Sequence, residues 1–361
     1  MISLKTGFLN FAGLSDVKQS TREDKMKIAI CAAALAAFSV PAFGQTPEEF
    51  YKGRTVELVV GTAPGGGYDL YGRLIGRVIG KHIPGAPVVI VKNMPGAGHL
   101  KMANWLYNAA PKDGTVMATA PQAVAIEQAM GTDGIQYDAA RFTWIGRVAP
   151  VVEVTYTWHT SPTKTLEDAR KRETVMGGSG AASPTVFYLK ALNQLAGTKF
   201  KIIASYPSNN DTNLAMQREE VEGGSKAWAS MKVDNADWLR DKHVNILVQY
   251  ADERSPDLPD VPLMMELGRN DDERKALQMF ALGNAMGRSI MATPGIPADR
   301  VAALRKAFMD TMKDADLVAF TKERKIDFGP ALSGADLEKL VQQTLSVSPN
   351  VVKLAKEARG G

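Results

Sequence analysis

The sequence predicts an α/β fold in two domains. Two observations carry this: one local device occurs twice along the chain, and the other predicted strands are separated by helical segments. The first copy of the device is Thr55 to Asp69, Thr-Val-Glu-Leu-Val-Val-Gly-Thr-Ala-Pro-Gly-Gly-Gly-Tyr-Asp, a β-rich strand that passes through glycines into a helix running to about Ile83. The second is a strand from Thr174 to Gly178, then Gly177-Gly178-Ser179-Gly180-Ala181-Ala182-Ser183-Pro184, then a helix to Gly197. Each copy sets the free N–H groups of a helix N-terminus at the carboxyl end of a strand, where open α/β sheets hold anions. Two such ends facing across a cleft can close on one small anion.

The chain's front end reads as a leader. Lys25, Met26 and Lys27 precede the apolar run Ile28 to Val40, and Pro41-Ala42-Phe43-Gly44 supplies the small residues a signal peptidase recognises. Cleavage after Gly44 and export across the inner membrane to the periplasm are expected. The residues before Lys25 are unusual ahead of such a signal, so either Met1 or Met26 can be the start. The apolar run is too short for a permanent anchor, and no later segment reaches about 18 consecutive apolar residues. Across the sequence 43 Lys and Arg face 39 Asp and Glu, and removing residues 1–44 leaves 38 against 36, a net charge of +2. Basic residues alternate with acidic ones, which excludes a nucleic-acid footprint. Cys31, the single cysteine, lies in the leader with no lipobox before it. The remaining 317 residues therefore carry no thiol, and they suffice to bury two cores without disulfides.

From there each element has its own signal. Thr46-Pro47-Glu48-Glu49 is a capping box with proline at the first helical position. Residues 55 to 60 are short, β-rich and bounded by Gly61; Leu70, Leu74, Ile75, Val78 and Ile79 then recur at helical spacing. Gly72, Gly76 and Gly80 fall four apart on that helix, beside Arg73, Arg77 and Lys81. The charges argue against a membrane helix and for one pressed onto a sheet, since each glycine costs about 1 kcal/mol of propensity relative to alanine. Pro87 to Lys92 is a strand, Asn93-Met94-Pro95-Gly96-Ala97-Gly98 a turn, and His99 to Ala109 a helix. Asp113-Gly114 turns into a strand from Thr115 to Thr119, and Gln122 to Met130 is helical. A parallel sheet follows from this alternation.

Strands at Phe142 to Ala149 and Val151 to Trp158 flank Pro150, where the chain is expected to cross between domains. Residues 45–148 are then the first part of domain one and 149–286 domain two. Thr165-Leu166-Glu167-Asp168 caps a helix to Arg172, and Ser183 with Pro184 reads as an N-cap. After a helix from about Asp271 to Gly283, domain one resumes near Gly287 to Thr293 and takes in residues 287–361. Those residues include a helix from Pro297 to Lys313 with Val301, Leu304, Phe308 and Met312 on one face, a capped helix at Ser333-Gly334-Ala335-Asp336, and the amphipathic segment Val351 to Ala358.

Taken together, the arrangement resembles the extracytoplasmic, Bug-type solute-binding receptors of tripartite tricarboxylate transporters. Gly66-x-x-Asp69 is similar to the family's Gly-Gly-x-x-Asp turn, and Asn93-Met94-Pro95-Gly96-Ala97-Gly98 to its Asn-Arg-Pro-Gly-Ala-Gly. Ala110-Pro111-Lys112-Asp113-Gly114-Thr115 matches its Pro-x-Asp-Gly segment, and Arg254-Ser255-Pro256-Asp257-Leu258-Pro259-Asp260-Val261-Pro262 its Arg-Ser-Pro-x-Leu-Pro-Asp-Val-Pro. The resemblance implies a two-domain periplasmic-binding-protein fold of the Venus-flytrap type, with a small organic carboxylate in the cleft and waters completing its contacts. It also implies delivery to a membrane permease, or presentation of the closed form to a membrane sensor. No cofactor, metal or nucleic acid is implied, and the protein is expected to be monomeric.

Carried onto this sequence, the domain-one contacts would be Pro64, Gly65, Gly66, Gly67, Tyr68 and Asp69 with Thr119, Ala120, Pro121 and Gln122. Ser179, Gly180, Ala181, Ala182 and Ser183 would take the ligand's other end. The Asp69 carboxylate is expected to cap N–H groups, because contact with an anion would oppose binding. Departures concentrate in domain two. Ser205-Tyr206-Pro207-Ser208 stands where the family has Pro-Tyr-Lys-Gly, and Glu219-Glu220-Val221-Glu222 replaces Gly-x-Val-Asp. Tyr206, Lys226 and Trp228 join Ser179 and Ser183 as candidates for reading the ligand's far end, with Trp228 either a pocket wall or a packing residue and Lys226 either a carboxylate partner or a solvated lysine.

Catalysis has one competing motif. Gly177-Gly178-Ser179-Gly180-Ala181 approaches a G-x-S-x-G elbow but fails at the last position; His243, with Asp211 or Asp237, could complete a hydrolase triad. A histidine in a polar Asp-Lys-His context is more often a turn residue, and no enzyme activity is expected. His82, His99, His159 and His243 share no metal-ligand spacing. Trp105, Trp144 and Trp158 read as core.

Overall fold

The computed structural model describes residues 45–65, 67–178, 183–206 and 209–360. Residues 1–44, which hold the expected leader, and Gly66, Ser179 to Ala182, Pro207-Ser208 and Gly361 lie outside the described residues. Thr46 forms its capping box: its hydroxyl accepts the Glu49 amide and the Glu49 carboxylate accepts its own. That opens α1 (Pro47–Tyr51), after which β1 (Thr55–Val60) runs through the glycine turn into α2 (Gly67–Ile79). This helix stops a turn earlier than the spacing suggests, because Pro84 removes a donor and pushes the residue before it out of helical geometry.

Then come β2 (Val88–Asn93), α3 (Leu100–Asn108), β3 (Val116–Ala120), α4 (Val124–Ala129) and β4 (Thr143–Arg147). The chain crosses to β5 (Glu153–Trp158), α5 (Leu166–Lys171), β6 (Thr174–Gly177), α6 (Pro184–Ala191), β7 (Phe200–Ile203), α7 (Asn209–Gln217), β8 (Gly223–Ala227), α8 (Trp228–Asp234), α9 (Ala236–Arg240) and β9 (Val244–Tyr250). Helix α10 (Asp271–Met286) leads back to β10 (Ser289–Ala292), α11 (Ala298–Thr311), α12 (Ala315–Glu323), β11 (Leu332–Ser333), α13 (Gly334–Leu345) and α14 (Pro349–Arg359).

Two sheets result, ordered β11-β4-β10-β3-β1-β2 and β7-β6-β8-β5-β9, both within one compact unit from Thr46 onward. Parallel pairing holds for β1 with β2 and β3, and for β6 with β7 and β8. It fails at β10, antiparallel to β3 and β4, at the short edge strand β11, antiparallel to β4, and at β5, antiparallel to β8 and β9. The cause is topological: β5 and β10 are the strands by which the chain enters each sheet from the other one, so they arrive from the opposite direction. The pairings Ser289 with Ala120, and Glu153 with Ala227 and Tyr250, therefore put the starts of β10 and β5 level with the ends of β3, β8 and β9.

Helices cover both faces of each sheet. Leu58, Ile75, Ile79, Leu304 and Phe308 fill one face of the first, under α2, α11 and α12; Met102, Leu106, Trp144, Leu337 and Val341 fill the other. In the second, Tyr156, Met216 and Trp238 lie on one face and Met176, Leu189, Leu192, Leu277 and Phe280 on the other. Helix α14, grouped with domain one by its place in the chain, instead buries Val351, Ala355 and Ala358 against α6 and α10 beside the second sheet. Both faces of the first sheet are already covered, so its apolar stripe has no complement there. The glycines of α2 do bring it onto its sheet: a Cβ at Gly72 would stand 2.6 Å from Val60 Cγ2, and one at Gly76 2.5 Å from Val91 Cγ2.

The crossing segments run side by side. Val148 N–H donates to Arg288 O at 2.8 Å, Arg288 N–H to Ala149 O at 2.9 Å and Val151 N–H to Asn284 O at 3.0 Å. Gly287 makes this possible, since its φ is +52° and a Cβ there would lie 2.1 Å from the Ala149 carbonyl oxygen.

Candidate functional site

The first wall of the candidate site is the turn between β1 and α2. Pro64, Gly65 and Gly67 are exposed there, while Asp69, in the first turn of α2, is buried. Its Oδ2 accepts the Gly65 amide at 2.9 Å and Arg73 Nε at 2.9 Å; Oδ1 accepts Asn93 Nδ2 at 2.8 Å. Asn93 also donates to Thr62 O, at 2.9 Å. The Arg73 hydrogen bond, aided by Asn93 and Gly65 against the cost of burial, holds the Asp69 carboxyl down at about 2. Asp69 is thus a staple from the end of β2 to the glycine turn, capping the Gly65 N–H as expected.

Tyr68, next to it, reaches across to the end of β3. Its hydroxyl donates to Gln122 Oε1 at 3.2 Å and accepts the Gln122 amide at 3.0 Å. Ala120 and Pro121 are buried between them. Thr119 is buried too, and its Oγ1, like Thr62 Oγ1 and His99 Nδ1, has no partner among the described residues. Gln122 is a hub: Oε1 also accepts Arg288 Nη1 at 3.2 Å, and Nε2 donates to Asn284 Oδ1 at 3.3 Å. Asn284 in turn accepts the Tyr188 hydroxyl at 3.0 Å and donates to Tyr250 O at 3.0 Å. A polar chain therefore joins the helix N-terminus beside the first sheet to the Tyr188–Tyr250 stack beside the second.

Two charged residues that the motifs did not point to complete the site. Arg288, just before β10, lies with its guanidinium 4.8 Å from the Tyr68 ring centre and 5.8 Å from that of Tyr71. It packs so close to Gly67 that a Cβ there would sit 3.3 Å from Nη2. It borders a cavity of about 270 Å³ shared by Gly67, Tyr71, Val152, Ala227 and Asp327. Glu153, the first residue of β5, borders a smaller one of about 100 Å³ with Gln122, Phe187, Tyr188, Phe280 and Asn284. Burial pushes its carboxyl up to about 7 against the opposing positive charge of Arg288. A signal for Glu153 was present in the sequence, a lone acid inside the apolar run Val151 to Val154. For Arg288 there was only its place after Gly287 at the return crossing.

The domain-two candidates fare differently. Ser179 to Ala182 lie outside the described residues. Ser183 occupies the N-cap position of α6, but its side chain makes no cap; its Oγ bonds Thr185 Oγ1 at 2.7 Å instead. Tyr206 is half-buried against Gly177. Lys226 is buried and committed, with Nζ 2.9 Å from Asp234 Oδ2 and 2.7 Å from Asn235 Oδ1. Trp228 takes the packing alternative: it is buried with Tyr156, Met231 and Trp238, and Nε1 donates to Asp257 at 2.9 Å. His243 packs its ring, tilted, against those of His159 and Trp158. Since Trp158 pairs with Val244, that is the sheet end opposite Glu153 and Tyr250. No group of three or more metal-binding side chains occurs, and no helix is long and apolar enough to cross a membrane, both among the described residues.

The comparisons bear on this geometry. Residues 78–356 match the family model TctC, the tripartite tricarboxylate transporter family receptor. A Cupriavidus necator protein described as UPF0065 protein in gbd 5'region is 27% identical over 250 residues, 67% of this chain and 72% of that protein. Among solved structures, a TctC solute-binding protein from Polaromonas aligns with a TM-score of 0.65 at 19% identity, covering 85% of this chain and 99% of that one. MatC from Rhodopseudomonas palustris, with bound malate, gives 0.56 at 21% identity over 84% and 99%. R. palustris Rpa4515, with adipate, gives 0.58 at 19% identity over 84% and 97%.

Proposed function

Since this chain belongs to the tripartite tricarboxylate transporter family of receptors, we propose that it captures one small carboxylated organic anion between its two sheets for uptake by the transporter's membrane permease. The family is one of solute-binding receptors and not of enzymes, and its members are periplasmic binding proteins. On this reading the leader is cleaved after Gly44, the mature protein works in the periplasm, and it acts as a monomer.

The observation that carries the reading is the convergence of Arg288, the N-terminus of α2 and Gln122 on one cleft, with Asp69 neutralised by Arg73 behind the turn. A cation beside helix N–H groups attracts a carboxylate, and the acids that border the same cavity are engaged elsewhere, Asp234 with Lys226 and Asp327 with Lys232. The 270 Å³ cavity lies just below the roughly 300 to 1,000 Å³ of drug-sized sites, which suits a metabolite-sized acid. MatC with malate and Rpa4515 with adipate support the ligand class.

A thermal-shift panel of dicarboxylates, aromatic acids and amino acids tests the proposal. An acid at about 100-fold over its Kd adds about 2.7 kcal/mol of stability. At least one acid should raise Tm, and Arg288→Gln should abolish that rise. An unchanged Tm across the panel would overturn the reading.

A further inference from the structure

We propose that this cleft selects a zwitterion, a small acid bearing an ammonium group, with Arg288 holding the carboxylate and Glu153 the ammonium. The inference rests on the receptor reading above and adds what the ligand's second group must be.

Arg288 has five N–H donors, and among the described residues its partners are neutral, Gln122 Oε1 and the Tyr68 hydroxyl. Among the described residues no carboxylate pairs with it. Glu153 is its mirror image. Among the described residues its carboxylate takes part in no hydrogen bond or ion pair, although it stands among Gln122, Asn284 and the rings of Phe187, Tyr188 and Phe280. The other charges bordering its cavity, Glu127 and Arg359, satisfy each other at 2.8 Å. The other charged residues among the site candidates are occupied: Lys226 by Asp234 and Asn235, Asp69 by Arg73. Among the described residues Arg288 and Glu153 are thus a cation and an anion without an ion-pair partner, linked through Gln122, which hydrogen-bonds Arg288 and borders the cavity of Glu153.

An uncompensated charge in a half-buried site is costly unless a ligand supplies its partner. A dicarboxylate satisfies Arg288 but brings its second negative charge toward Glu153, where like-charge repulsion adds to desolvation. An aminocarboxylate satisfies both.

Calorimetry on the mature protein separates these cases. The probes are the aminocarboxylates from β-alanine to 6-aminohexanoate and glutamine, with matched dicarboxylates from malonate to adipate. Wild type should bind at least one aminocarboxylate tenfold or more tightly than its matched dicarboxylate. Glu153→Gln should erase or invert that ratio while acids still bind, and Arg288→Gln should weaken both classes. Wild-type preference for a dicarboxylate overturns the zwitterion and leaves the receptor reading intact, and this comparison needs no variant to fold. Failure of every acid of both classes to bind wild type overturns the receptor reading itself.

Discussion

Replacing Asp69 with asparagine tests whether the glycine turn is held by charge or by shape. The side chain is buried, so the interaction is poorly screened by solvent. Its carboxyl is held at about 2 against an ordinary 3.8, chiefly by Arg73. At about 1.4 kcal/mol for each tenfold change, that difference amounts to about 2 kcal/mol of stability at neutral pH. Because the folded-state value is lowered, the contribution is fully present above 3.8 and disappears as the pH falls through about 2. Urea unfolding of Asp69→Asn and wild type should therefore show a gap of about 2 kcal/mol at neutral pH that narrows steadily between about pH 4 and pH 2. Ligand affinity should also fall, because the Gly65 amide and the turn it orients are no longer pinned. A gap that is absent, or the same at both ends of the pH range, would refute the electrostatic account and leave only shape.

Four further outcomes follow from the same geometry. Gly72→Ala gains about 1 kcal/mol of helix propensity but drives a Cβ to 2.6 Å from Val60 Cγ2, so it should lower stability by roughly 1 to 2 kcal/mol net in thermal unfolding. Gly287→Ala should cost more than about 2 kcal/mol, since the blocking atom is the Ala149 carbonyl and its φ is +52°; wild-type unfolding midpoints would contradict this. Trp228→Ala should lose roughly 3 to 5 kcal/mol of stability, with the rank order of bound acids unchanged in calorimetry. In the ligand-free protein, Glu153, raised from 4.5 to about 7, makes stability fall as pH climbs through that window. Glu153→Gln should flatten this slope and be more stable than wild type by roughly 1 to 3 kcal/mol above pH 7, and equal to it below pH 4.5, in urea titrations across pH.

The strands and the first wall of the site were legible because local chemistry alone dictates them. Thr55–Val60 is found where its β-rich run lies, Thr46 caps as its motif requires, and the glycines of α2 share the face that meets the sheet. Asp69 could be read because an acid in the first turn of a helix has one favourable use. What escaped were properties of the crossings. The antiparallel placement of β5 and β10 depends on the direction from which the chain arrives, which no periodicity records. Lys226 and Trp228 looked like ligand contacts because they sit at the cleft end of β8. Their partners, Asp234, Asn235 and Asp257, lie 8, 9 and 29 residues further along, and only the turn of α8 and the loop after β9 bring them in.

That misreading also relocates what should set ligand preference. If the far end were read by Ser183 and Trp228, specificity would sit inside the second lobe, away from the crossing. Both are occupied there, Ser183 with Thr185 and Trp228 with its core. Arg288 and Glu153 stand at the crossing itself: Arg288 follows Gly287 and shares backbone hydrogen bonds with Val148 and Ala149, and Glu153 comes two residues after Val151, which is bonded to Asn284. They mark the starts of β10 and β5, the strands that enter the first and second sheets. A ligand spanning them ties the two sheets together at the point about which they would move. Its affinity then depends on their relative placement, and a molecule too short to reach both charges stabilises no single arrangement over another. Recognition and closure are in that case one interaction, so a substitution at Arg288 or Glu153 should change the ligand-induced compaction seen by solution scattering in proportion to the affinity it removes. Equal compaction by ligands that Glu153→Gln binds a hundredfold differently would separate the two and place the closing contact elsewhere.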